Sequence, residues 1–234
     1  MNAARNAIVF PLDVATSSEA FVWVDRLGPS VGVWKIGLQL YLREGRDVVR
    51  GVRARSSLPI FLDLKLHDIP ETVEQAIGSL GDLGVDYLTV HASGGKQMLE
   101  RAARKSESSN LRILAVTALT SLSEDDLSEI GWGSSSETVK RLATLATSAG
   151  VTAFVCSPNE ITLIRDVARA STIFTPGIRS DETAEDDQSR TASAFVAAKR
   201  GADFLVIGRP IRNANDPVAA AGVLAREIER GRSS

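Results

Sequence analysis

Eight short apolar runs, each followed by a stretch of helical pattern, predict an α/β fold of the (β/α)8 barrel class for this 234-residue chain. No break in composition divides it: 44% of its residues are hydrophobic, enough for one full core, and residues 1–234 are expected to form a single domain. The placement of charge agrees, because the ionisable residues inside apolar runs gather toward the ends where such a barrel keeps its active site. An open doubly wound sheet is the alternative, but no G-x-G-x-x-G follows the first run to mark a dinucleotide site.

The first strand is expected at Ile8–Asp13, where Pro11 removes a ladder hydrogen bond and predicts a local bulge or late strand entry. The second, Val33–Gly37, is a short apolar run whose Lys35 points the same way as Val33. In the third, Ile60–Lys65, alternation sets Asp63 and Lys65 on one face and Leu62, Leu64 and Leu66 on the other, and Pro70 then opens a helix-like stretch. The fourth and fifth are the apolar runs Tyr87–His91 and Arg112–Thr117. A helix bearing Val139, Leu142, Leu145 and Ala149 closes at Gly150. The sixth strand, Ala153–Ser157, leads into Ser157-Pro158-Asn159-Glu160, which offers an N-cap, a proline at the first helical position and a capping-box glutamate. Ile161, Ile164 and Val167 or Ala168 then recur at helical spacing. After the seventh strand, Ile173–Thr175, the long, polar, acidic stretch Ser180–Ser189 is expected to be a mobile lid. The eighth is Phe204–Gly208, and Asp216-Pro217 opens a last helix with Val218, Ala221, Leu224 or Ala225 and Ile228 on one stripe.

Composition narrows the function. A formal net charge of −2 without a basic block gives no footprint for nucleic acid or an anionic membrane. The single cysteine, Cys156, excludes a disulfide within the chain and fits a buried, inert thiol better than a nucleophile. The N-terminus, Met1 to Val9, lacks a signal-peptide core and no apolar run is long enough to span a membrane, so a cytoplasmic location is expected.

The chemistry concentrates at Asp63, Lys65 and Asp68. Burying a carboxylate and an ammonium is costly unless they pair and are hydrogen-bonded. A structural ion pair would account for Asp63 and Lys65 alone, but a second carboxylate just past the strand end favours a functional cluster. Asp13 ends the first strand and Lys35 lies near the end of the second; the chain has only six lysines against 21 arginines, and two of the six lie in strands. His91, at the end of the fourth, is better read as a satisfied, semi-buried histidine. Thr175-Pro176-Gly177-Ile178-Arg179 leaves strand seven and Gly208-Arg209-Pro210 leaves strand eight. Glycine allows close backbone approach to an anion and the guanidinium fork suits phosphate, so a phosphorylated ligand is expected at these two loops.

Taken together, these segments resemble the orotidine 5′-monophosphate decarboxylase family over essentially the whole chain. The family pattern D-x-K-x-x-D-I-P-x-T stands intact from Asp63 to Thr72. It is joined by Leu12-Asp13, Lys35-Ile36-Gly37, Val90-His91-Ala92, Leu119-Thr120-Ser121, Thr175 to Arg179, Asp186-Asp187-Gln188 and Gly208-Arg209. Pro11 departs from it, since a residue with an N–H is usual there. The resemblance implies a homodimeric (β/α)8 barrel that decarboxylates orotidine 5′-monophosphate to uridine 5′-monophosphate in pyrimidine biosynthesis, with no metal and no cofactor. It implies an alternating charge network, Lys35, Asp63, Lys65 and Asp68, facing the reacting carbon, with Asp68 and Thr72 supplied by the partner subunit. Lys65 would protonate the carbon that loses carbon dioxide. Asp13 and Lys35 would contact the ribose, Thr120 the pyrimidine, and Arg179, Gln188, Gly208 and Arg209 the phosphate.

Three rivals share parts of this pattern. Related Mg²⁺-dependent sugar-phosphate decarboxylases and aldolases generally carry glutamate on strand two where this chain has Lys35, a cation that would repel the metal. A Schiff-base aldolase needs a neutral lysine, whereas the carboxylates flanking Lys65 favour an ammonium. A non-catalytic phosphate-binding barrel should have lost one of the catalytic charges, and none is missing.

Overall fold

The computed structural model describes residues 2–179 and 191–234; the expected lid at Ser180–Ser189, with Gln188, lies outside the described residues. The elements run α1 (Asn2–Arg5), β1 (Ile8–Pro11), α2 (Ser17–Leu27), β2 (Val33–Gly37), α3 (Leu38–Arg55), β3 (Ile60–Leu66), α4 (Pro70–Gly78), β4 (Tyr87–His91) and α5 (Lys96–Glu107). They continue with β5 (Arg112–Val116), α6 (Glu124–Glu129), α7 (Ser135–Ser148), β6 (Ala153–Val155), α8 (Ile161–Val167), β7 (Thr172–Thr175), α9 (Ala194–Lys199), β8 (Phe204–Val206), α10 (Arg209–Arg212) and α11 (Pro217–Arg232). All eight strands pair parallel in chain order, and β1 closes on β8, so the expected barrel is the observed one.

Strands buried on both faces explain why the sequence shows continuous apolar runs. One face of each strand packs outward under the helices, as Phe10, Trp34, Leu62 and Leu88 do. The other face fills the bore with Val9, Val33, Phe61, Leu114, Ala153 and Phe174. Phe174 is the hub of an aromatic floor: its ring centroid lies 4.4 Å from Phe204, 4.9 Å from Tyr87 and 5.4 Å from Phe61. Tyr87 and Phe204 open their strands and Phe61 is second in β3, so the rings lie below the open mouth at the C-terminal strand ends.

Several boundaries differ from expectation. Strands β1, β5, β6 and β8 end one or two residues early, so Asp13, Ser157 and Gly208 stand on loops. Pro11 makes no bulge: it pairs in register with Lys35, and the Leu12 N–H bonds the Lys35 carbonyl at 2.8 Å. The position without an N–H therefore faces β8, whose strand has already ended. Its ring sits where Gly208 has no side chain, since a Cβ there would lie 2.9 Å from Pro11 Cγ. Helix α8 starts at Ile161, not Pro158; Glu160 still accepts the Ser157 N–H at 2.9 Å, but residues 158–160 form a turn. Asp216 caps α11 as expected, through the Val218 and Ala219 N–H groups, yet Val218 is exposed and Ala221, Leu224, Ala225 and Ile228 carry the buried stripe. Helix α3 is kinked at Gly45, whose φ of 62° glycine adopts without steric cost.

At the closed end, two clamps of the same design tie strand starts together. Asp86, just before β4, accepts the Ile60 N–H at 2.8 Å and Arg53 Nη2 at 2.7 Å. Asp203, just before β8, accepts the Ile173 N–H at 2.7 Å and Arg165 Nη2 at 2.9 Å. Each arginine also donates to backbone carbonyls of the adjoining loops. Removing the carboxylate leaves a strand N–H unpaired, so Asp86→Ala and Asp203→Ala should each lose about 1–3 kcal/mol, read as a lower urea midpoint at constant slope. Unchanged midpoints would show that the clamps contribute nothing.

Candidate active site

A cavity of about 400 Å³ opens at the barrel mouth. Phe61, Val116, Val155 and Val206 form its apolar base, and Asp13, Lys35, Asp63 and Lys65 occupy one wall. Thr120, Arg179, Gly208 and Arg209 also line it, so eight of the eleven site residues expected from the sequence meet at this cavity.

Asp63 is the centre of the charged wall. Lys65 Nζ lies 2.7 Å from its Oδ1 and Lys35 Nζ 3.5 Å from its Oδ2. Lys35 also reaches Asp13 Oδ1 at 3.2 Å, making a continuous Asp13–Lys35–Asp63–Lys65 chain across three strand ends. Burial alone would raise the Asp63 pKa, but the Lys35 and Lys65 cations and hydrogen bonds from Lys65 and Thr89 outweigh it and hold the carboxyl below its ordinary 3.8. Asp63 is therefore ionised at neutral pH. His91 on β4 moves the other way: burial, then the neighbouring His67 and Lys65, lower its pKa below 6.5 and keep the imidazole neutral at pH 7.

The backbone that makes this possible is irregular. Between Leu62 and Leu66 the β3–β4 register shifts, so Asp63, Leu64 and Lys65 stand opposite Thr89 alone. Lys65 has a φ of 50°, the one positive φ among the described non-glycine residues. The expected separation of faces survives, with Leu64 and Leu66 against the outer core, but the strand is bulged where strict alternation was expected.

Asp68 and Thr72 do not join this wall. Both are exposed and outside the cavity, and Asp68 Oδ1 accepts the N–H of Ile69 at 2.6 Å. Two residues of the site escaped the sequence reading. Thr89, fully buried, bonds Asp63 and the Lys65 backbone; its place between Tyr87 and His91 on the inward face of β4 was the available signal. Arg212 lines the cavity one turn beyond Arg209 and donates through Nη2 to the Pro11 carbonyl at 2.8 Å, a contact that no motif marked.

The comparisons with known proteins agree with this geometry. Residues 6–223 match the model of the orotidine 5′-phosphate decarboxylase / HUMPS family. The chain is 45% identical over 225 residues to orotidine 5′-phosphate decarboxylase of Thermobifida fusca, covering 95% of this chain and 96% of that one. It is 41% identical over 236 residues to the protein of the same name from Desulfosudis oleivorans, covering 97% and 94%. The crystal structure of orotidine 5′-phosphate decarboxylase from Lactobacillus acidophilus superposes with a TM-score of 0.83 at 32% identity, covering 94% of this chain and 98% of that one.

Because Asp63 gives up its proton more readily folded than unfolded, its contribution to stability is whole above pH 3.8 and is lost as pH falls through the folded value. The stability difference between wild type and Asp63→Asn, from urea unfolding, should be constant above about pH 5 and shrink in the wild type's disfavour toward about pH 3. A difference that does not change with pH would refute the depressed pKa.

Proposed function

The chain belongs to the orotidine 5′-phosphate decarboxylase / HUMPS family, and from that premise we propose that it is a carboxy-lyase converting orotidine 5′-monophosphate to uridine 5′-monophosphate in pyrimidine biosynthesis. The observation that carries the reading is the Lys35–Asp63–Lys65 array on the cavity wall. The substrate carboxylate lies beside Asp63. The bond from the ring carbon to that carboxylate breaks, the electron pair stays on carbon and carbon dioxide departs. The Lys65 ammonium stabilises the developing carbanion and then gives it a proton, completing the product. Asp63, fixed by two cations, holds Lys65 on the reacting side.

Lys35 and Asp13 bond the ribose hydroxyls, Thr120 the pyrimidine, and Arg179, Gln188, Gly208 and Arg209 the phosphate. Binding energy at the phosphate, remote from the reacting carbon, supports the chemistry. The metal-dependent branch is disfavoured because each Asp63 oxygen already faces an ammonium, which a divalent cation would have to displace. Residues 1–234 act as one cytoplasmic domain that needs no cofactor. Among the described residues no helix is long and apolar enough to cross a membrane.

The active form is a homodimer in which Asp68 and Thr72 enter the partner's site. Two facts support this reading: Asp68 makes no ion pair with Lys65 or Lys35 among the described residues, and apolar Ile69, Leu38 and Leu42 are exposed beside the mouth.

Purified protein treated with a strong chelator should deplete orotidine 5′-monophosphate absorbance at its full rate. Lys65→Ala should abolish turnover while still binding uridine 5′-monophosphate, and Arg209→Ala should chiefly raise KM. Activity recovered only on adding Mg²⁺ would favour the enediolate branch.

The shared site is tested by mixing Lys65→Ala with Asp68→Ala, each nearly inactive alone. Random exchange makes about half the dimers mixed, and one of the two sites in each is intact, so about a quarter of wild-type activity should return. No recovery, with subunit exchange confirmed by mass, would overturn the assignment of Asp68 to the partner's site.

A further inference from the structure

Where β3 bulges, three residues of one strand stand opposite a single residue of the next, and the strand ladder cannot serve them all. The Lys65 N–H is one of the groups left without a carbonyl across the sheet. It donates instead to the side chain of Thr89, 2.8 Å away. The same hydroxyl lies 3.0 Å from Asp63 Oδ1, and the residue is completely buried. A hydroxyl has one proton and two lone pairs. With a lone pair committed to the Lys65 N–H, its proton goes to Asp63, so both ends of the group are used and its orientation is fixed.

The backbone thus held is a costly one. A left-handed φ in a residue with a Cβ is sterically disfavoured and persists only where surrounding contacts impose it. The conformation has a chemical use. Within this bulge Lys65 Nζ lies 2.7 Å from Asp63 Oδ1, so the segment that carries the irregular backbone also carries the ion pair.

We infer that Thr89 is a positioning residue for the reaction: its hydroxyl closes the bulge in β3 and thereby fixes both the backbone that aims the Lys65 ammonium and the Asp63 oxygen that this ammonium pairs with. The inference rests on the decarboxylase reading and extends it to a fully buried residue outside the lining of the cavity. The charged groups that share Asp63 with it are Lys35 from β2 and Lys65 from β3, while neutral His91 faces the cluster from β4. None of these can replace the Thr89 hydroxyl at the Lys65 N–H.

Thr89→Val keeps the branched shape and removes the hydroxyl, and Thr89→Ser keeps the hydroxyl and removes a methyl. Thr89→Val should lower kcat by about tenfold to a hundredfold, the loss expected for a hydrogen bond to a charged group. Its KM and its affinity for uridine 5′-monophosphate should stay within about threefold of wild type, because the ribose and phosphate contacts are untouched. The acid limb of its kcat–pH profile should move to higher pH, since Asp63 has lost a donor that favours its ionised form. Thr89→Ser should recover most of the lost rate and return the acid limb. Thermal melting of both variants establishes that they are folded. A Thr89→Val protein with kcat within about twofold of wild type overturns the proposal. So does a loss that serine fails to recover with the acid limb unmoved, which would assign Thr89 to packing alone. An inactive wild type overturns the decarboxylase reading and this inference with it, whereas an active wild type and an equally active Thr89→Val remove only the role of Thr89.

Discussion

Asp63 carries a negative charge into the upper bore of the barrel, and two ammonium groups, one on each oxygen, hold it there. Its side chain is only 14% exposed, so desolvation works against the ionised form. Lys35 from the neighbouring strand and Lys65 from its own tip the balance the other way. Remove Asp63, and two neighbouring ammonium groups lose the carboxylate they share, a strongly destabilising arrangement in a partly buried site. The charges are thus mutually dependent, and the surrounding structure holds each lysine 2.7–3.5 Å from the carboxylate. A barrel suits that demand because parallel strands in fixed register deliver Lys35 and Asp63 from adjacent elements.

The rigidity comes from below and outside the site. Helices cover the outer face of the sheet, and the packed rings of Phe174, Phe204, Tyr87 and Phe61 fill the lower bore. Beneath them the Asp86–Arg53 and Asp203–Arg165 clamps fasten strand starts at matching places in the two halves of the chain. Stability and chemistry are therefore segregated along the barrel axis. Regular packing occupies the end where strands begin, and the one bulged, positive-φ segment lies where they finish.

Much of this was legible in the chain itself. Runs such as Ile8 to Phe10 and Phe204 to Val206 had to be strands buried on both faces, and eight of them in alternation with helices left few architectures open. Charges inside such runs, at Lys35, Asp63 and Lys65, announced a site because burial without a partner is so costly. What stayed hidden depends on distance across the sheet rather than along the sequence. The bulge at Lys65 arises from a register mismatch with β4, which no local pattern encodes. Thr89 looked like one more β-branched residue in an apolar strand. Pro11 suggested a local bulge or late strand entry because the sequence does not say that its ring faces the end of β8, where no ladder bond was due. The capping pattern at Ser157 to Glu160 misled for a related reason. The glutamate is buried and bonds the Ser157 N–H, as a capping box predicts, but the intervening residues form a turn ahead of the helix.

The aromatic floor makes the cavity a blind well. Among the described residues, rings are packed across the lower bore and β1 closes on β8, so the cavity opens at the end where the strands finish. Nucleotide and gas must share one doorway. In the proposed reaction, a small apolar molecule released beside Asp63 sets out from the wall of the well, with the larger nucleotide between it and solvent. In the proposed binding mode, with the phosphate held by Arg179 and Arg209, size sets the order of departure: carbon dioxide would slip past the bound nucleotide, and the nucleotide would leave last.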